Sequence, residues 1–111
     1  MGFTTSIKAV ALSSFSSASV SGSYQAISTA LPNACGILRI MNASNQDITI
    51  SYNGSTDHEV VLANSTLEVD SQKLAPYNSA FANFKIGTVV YAKGTAGTGT
   101  IYVSAYYISA N

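Results

Sequence analysis

Thr100-Ile101-Tyr102-Val103-Ser104-Ala105-Tyr106-Tyr107-Ile108 carries the period that decides the fold. Ile101, Val103, Ala105 and Tyr107 fall on one side of an extended chain, and Tyr102, Ser104 and Tyr106 on the other. Just before it, Gly94-Thr95-Ala96-Gly97-Thr98-Gly99 reads as a glycine-rich hairpin loop, and residues 88–93, with Val89, Val90 and Tyr91, read as the partner strand. Further toward the N-terminus, Ile48, Ile50 and Tyr52 alternate with Thr49 and Ser51, and Asn53-Gly54 marks a tight turn. Residues 59–62 form the next short strand. Asn64-Ser65 turns the chain, and Leu67 and Val69 then alternate with Thr66, Glu68 and Asp70.

Upstream of these, Ile37-Leu38-Arg39-Ile40-Met41 suits a buried strand, and residues 42–46 read as a polar turn. Residues 71–79, with Pro76, lack alternation and fit a loop or a single helical turn, with Phe81 and Phe84 anchoring the segment after it. No window sustains a helical period, and turn signals recur at roughly 8–12 residues, the spacing of a sandwich or barrel. The expected fold is all-β: a single-domain antiparallel β-sandwich of about eight strands, with a jelly roll as the candidate topology. A chain of 111 residues suffices for one such core and not for two. Residues 1–30 are expected to form an N-terminal strand or arm within that domain, and residues 31–111 its body.

The arm reading comes from composition. The first 38 residues hold one charge, Lys8, and residues 13–23 are rich in Ser and Ala. Phe3, Ile7, Val10 and Phe15 are candidate interface residues that would dock on a neighbouring subunit by strand addition. Tyr102 and Tyr106 join them, because exposed tyrosine combines apolar area with a hydrogen-bonding tip.

Charge excludes several classes of function. Charged residues make up 9% of the chain, against roughly 25% in an ordinary soluble domain, and the formal net charge is zero. Lys8, Arg39, Lys73, Lys85 and Lys93 are scattered, so direct nucleic-acid binding is not expected. No apolar run approaches the roughly 20 residues of a membrane span, and the N-terminal apolar stretch is too short for an export signal. A surface this poor in charge offers little repulsion between copies, which favours assembly.

The inventory for catalysis is thin. His58 is the only histidine, and no glycine-framed nucleophile accompanies it; a hydrogen-bonded role fixing the turn is expected. Asp57, Glu59, Glu68 and Asp70 read as solvated strand-face carboxylates, without EF-hand spacing for calcium. The loop at residues 94–99 lacks the ending of a phosphate-binding loop. Cys35, the only cysteine, reads as a small buried apolar residue. The Asn-x-Ser/Thr triplets at Asn42, Asn53 and Asn64 read as turn chemistry. No catalytic residue, cofactor or metal ligand is expected.

Two segments carry a resemblance. Asp47-Ile48-Thr49-Ile50-Ser51-Tyr52-Asn53-Gly54-Ser55-Thr56-Asp57-His58 resembles a strand and turn of small tailed-bacteriophage virion proteins. Residues 91–107 are similar to the closing hairpin of the same proteins, so the likeness spans residues 36–107. It implies a non-enzymatic virion structural protein, foremost a capsid decoration (cement) protein on the capsid exterior, made in the host cytoplasm. Its implied partners are itself, as a homo-oligomer with a trimer favoured, and the major capsid or other virion proteins. A head–tail connector or tail component is the alternative. A carbohydrate-binding β-sandwich is a third reading, supported by the seven tyrosines and opposed by the absence of tryptophan.

Overall fold

A computed structural model of the chain describes residues 5–70 and 84–110. Its strands are β1 (Thr5–Ala9), β2 (Ser13–Ser16), β3 (Gln25–Ala26), β4 (Ile37–Ser44), β5 (Ile48–Ser51), β6 (Glu59–Val61), β7 (Ser65–Asp70), β8 (Tyr91–Gly94) and β9 (Gly99–Ala110). A 3₁₀ turn, Ser17–Ser19, follows β2, capped by the Ser16 hydroxyl, which accepts from Ala18 N.

The strands form two antiparallel sheets. The first runs β1-β9-β4-β7, with β2 also on β9; the second runs β3-β8-β5-β6. Rows of opposite residues show how each sheet faces. Leu38, Ala105 and Val69 share one row, as do Ile40, Val103 and Leu67, and these point between the sheets. From the second sheet, Ile48, Ile50, Val61 and Ala92 point back at them. Leu38, Ile40, Ile50 and Ile101 are fully buried, each contributing about 1.5–3 kcal/mol by leaving water. The all-β sandwich expected from alternation is the fold observed.

The topology is that of one long ribbon rolled up. β2 lies beside β9 and β3 beside β8, and the ribbon closes at its tip where β5 meets β6. Rolling brings β4 against β9 and β5 against β8. This nesting is the jelly roll. Asn42 ties the layers together: buried on β4, its side-chain amide donates to Gln46 O (2.9 Å), Val61 O (3.1 Å) and Leu62 O (3.2 Å).

Several expectations need correction. Residues 94–99 are not a hairpin loop, because β8 and β9 lie in different sheets and the segment crosses between them. A Cβ on Gly99 would stand 2.1 Å from Ala43 O, so only glycine passes there. The polar turn expected over residues 42–46 starts later, since β4 runs to Ser44 and Asn42 is a core residue. Among residues 88–93, only 91–93 fall in β8, although Val90 is fully buried and its carbonyl accepts from Ile27 N. Phe3, Phe81 and residues 71–79 lie outside the described residues.

The N-terminal segment lies on its own chain's sheet. β1 pairs with Tyr106–Ala110 of β9 and β2 with Thr100–Val103 on the same edge. Between Ala9, opposite Tyr106, and Ser13, opposite Val103, β1–β2 has one residue more than β9, which makes a β-bulge. The bulge changes which residues face inward. Before it Val10 turns to the core; after it Phe15, opposite the buried Ile101, does so.

Candidate interaction face

The outer face of the first sheet is built by the residues between the core rows. Ile37 lies opposite Tyr106 and Asp70; Arg39 lies opposite Ser104 and Glu68; Met41 lies opposite Tyr102 and Thr66. β1 extends the face with Ala9, opposite Tyr106, and with Ile7, which is 73% exposed. Arg39 organises the centre. Its guanidinium donates to Glu68 Oε2 from Nη2 (2.9 Å) and Nε (3.3 Å), and stands 6.0 Å from the centre of the Tyr106 ring. Side chains of Arg39 and Glu68 remain about two-fifths exposed, so this pair orients more than it stabilises. The result is an aromatic and aliphatic band, Tyr102 to Tyr106 to Ile7, around one neutralised ion pair.

The opposite outer face is occupied by the ribbon's tip. Ser51 lies opposite Tyr91 and Thr49 opposite Lys93 on that side. The turn after β5 folds back over them. Asn53 Oδ1 accepts from Ser55 N (2.9 Å) and Thr56 N (2.9 Å), and Gly54, at φ 82°, sits against the Tyr91 ring. Asp57 closes the tip, accepting from the Tyr24 hydroxyl and pairing with Lys93 Nζ at 3.0 Å, while Lys93 lies 4.7 Å over the Tyr24 ring. The hydrogen bonds from Tyr24 and Lys93 hold the Asp57 carboxyl below its ordinary range. Partial burial, then its bond to Asp57, pushes the Tyr24 hydroxyl up to about 12.

His58 belongs to the same turn. Its Nδ1 accepts from Tyr52 N (3.0 Å) and its ring stacks on Tyr52 at 5.5 Å, so it braces the tip. With Nδ1 held by backbone and Asp57 committed to Tyr24 and Lys93, the local Asp57-His58 pair is used for structure. Asp57 lies in the turn between β5 and β6 and Glu68 on β7 of the first sheet, and no group of three or more His, Cys, Asp or Glu among the described residues is placed to hold a metal ion. Cys35 is fully buried, donates to Asn33 O (3.3 Å), and has its thiol pushed up by burial.

A groove of about 510 Å³ opens where the sheets part beside β7. Tyr52, Leu67, Val69 and Phe84 form its apolar floor and Glu59 stands at its rim. Burial and the neighbouring Glu59 carboxylate push the Tyr52 hydroxyl above its ordinary range.

The residues expected at an interface therefore divide. Ile7, Tyr102 and Tyr106 share the outer face of the first sheet. Val10 and Phe15 pack against the core instead, Val10 by the β1 register and Phe15 because the bulge shifts the register after it. Composition alone missed Arg39 and Met41, which only the strand register places between the tyrosines.

No protein-family profile matches the chain, and no curated protein matches it. A solved structure of Bacillus endospore appendages, described as a novel family of disulfide-linked pili, is similar over 96% of this chain and 90% of that chain. The identity is 17% and the TM-score 0.42, a likeness too slight to carry an argument.

Proposed function

We propose that the protein is a non-enzymatic structural subunit of a larger particle, which docks through the outer face of its first sheet. One observation carries this reading: Tyr102, Tyr106, Met41 and Ile37 lie together on that face, while the tip folds over the opposite one. Aromatic side chains and methionine around an arginine are what protein interfaces enrich. The particle the resemblance supports is a tailed-phage virion, with the chain as a decoration protein on the capsid exterior.

The test is the purified particle. Decoration requires the chain in hundreds of copies per virion, whereas a connector ring requires on the order of a dozen, set by its cyclic symmetry. Replacing Tyr102 and Tyr106 together by Ser should reduce particle occupancy at least tenfold with the melting temperature little changed. Full occupancy by the double variant would move the docking surface elsewhere, and absence of the protein from purified virions would sink the virion reading.

A further inference from the structure

We propose that copies of this chain join head to tail by continuing the first sheet: β1 of one copy adds to β7 of the next, along the Thr66–Glu68 edge that no described strand pairs. The proposal rests on the reading of the chain as an assembly subunit and names its partner, a second copy.

Hydrogen-bond phase carries the argument. Val10 N donates to Ala105 O at 2.9 Å in continuation of the β1–β9 register. Lys8 and Tyr107 are then also a hydrogen-bonded pair, and Ile7 and Ala9 turn their N–H and C=O groups away from β9, to the open edge. At the other edge, Asn45 N donates to Thr98 O at 3.2 Å in continuation of the β4–β9 register. Odd residues of β4 therefore bond to β9 and even ones to β7. Leu67 and Val69, opposite Ile40 and Leu38, turn inward, so Thr66 and Glu68 turn their backbone groups outward.

These edges match in two independent ways. β1, β9, β4 and β7 alternate in direction, so a copy displaced along the sheet presents its β1 antiparallel to β7. The face matches as well. Ile7 and Ala9 on one edge, and Thr66 and Glu68 on the other, all carry their side chains on the outer face. Ile7 then stands opposite Glu68 and Ala9 opposite Thr66, and core side continues into core side. A phase error of one residue at either edge would have turned the neighbouring sandwich inside out.

Charge agrees with this register. Lys8 is exposed and makes no ion pair among the described residues. In the joined sheet it stands opposite Leu67, on the core side, where the groove offers its stem an apolar floor and its ammonium the Glu59 carboxylate. Among the described residues, no cation lines that groove. The bulge after Ala9 ends the regular edge, which confines the addition to β1. Such an interface is heterologous, so it propagates into rings or filaments rather than stopping at a dimer.

The test is sedimentation across a concentration series. Wild type should grow beyond a dimer. Ile7→Pro removes an N–H that β9 does not use, and Thr66→Pro removes one that β4 does not use, so each variant should fold and stay monomeric. Mixed one to one, they should form a dimer and go no further, because each retains the edge the other lost. Unhindered assembly of either variant, or a mixture that stays monomeric, overturns the proposal. A charge pair repeats the test without proline: Lys8→Glu should weaken association at least tenfold, and mixing with Glu59→Lys copies should restore it. Wild type that is monomeric throughout, yet abundant in purified virions, would refute the head-to-tail contact and leave the assembly reading standing.

Discussion

Asp57 shows how a surface carboxylate becomes structural. Its partners, Tyr24 and Lys93, come from distant parts of the chain and close the ribbon's tip over the second sheet. Because its folded value is depressed, the stabilisation is present above the ordinary carboxylate range and lost as pH falls through the lowered value. Acidification should therefore release the tip before the sandwich unfolds, seen by NMR as shifts confined to residues around 53–58 and to Tyr24 and Lys93. Asp57→Asn should remove that acid transition; an unchanged titration would place its origin in another carboxylate. Glycine gives a second residue-scale contrast. Gly99, at φ 123°, has Ala43 O where a Cβ would go, whereas Gly22 has nothing within 4 Å. Gly99→Ala should cost about 3 kcal/mol or more in urea unfolding, and Gly22→Ala well under about 1 kcal/mol.

At the scale of elements, the bulge between β1 and β2 divides the N-terminal segment into a dispensable and an indispensable part. Beyond Tyr106, β9 is paired among the described residues only with β1, so those two strands leave the sandwich as a two-stranded ribbon, marginal on its own. Val10 and Phe15 lie past the ribbon, against the core. Removing residues 1–9 should leave circular dichroism and melting nearly unchanged while abolishing self-assembly. Removing residues 1–16 should unfold the protein, and Phe15→Ala alone should cost about 2 kcal/mol, roughly half the loss at a fully buried phenylalanine. Unfolding of the shorter truncation would make β1 part of the core sheet. Composition suggested an arm from the Ser/Ala-rich stretch; the hydrogen bonds show that only its first strand lies clear of the core.

For the whole molecule, low charge sets the kind of force that holds an assembly together. Backbone ladders and aromatic contacts are screened little by salt, so self-association should persist between about 0.1 and 1 M salt with only a modest loss at Lys8. Disassembly over that range, checked by sedimentation, would mean that charge contacts dominate instead. Alternation alone specified the all-β class, the core face of the last strand and the buried Ile48 and Ile50, because a two-residue period is a local property of the chain. His58 as a turn brace was legible for the same reason, lying six residues from its partner Tyr52. Sheet membership was not local. Gly94-Thr95-Ala96-Gly97-Thr98-Gly99 has the composition of a hairpin, but the rolled ribbon sends its two ends to different sheets. Nor does any stretch of sequence tell that Arg39, Tyr102, Tyr106 and Ile7 share one outer face, or that the hydrogen-bond phases of β1 and β7 agree. Those are matters of register between strands far apart in the chain, decided only when the two layers pack and bury their apolar rows together.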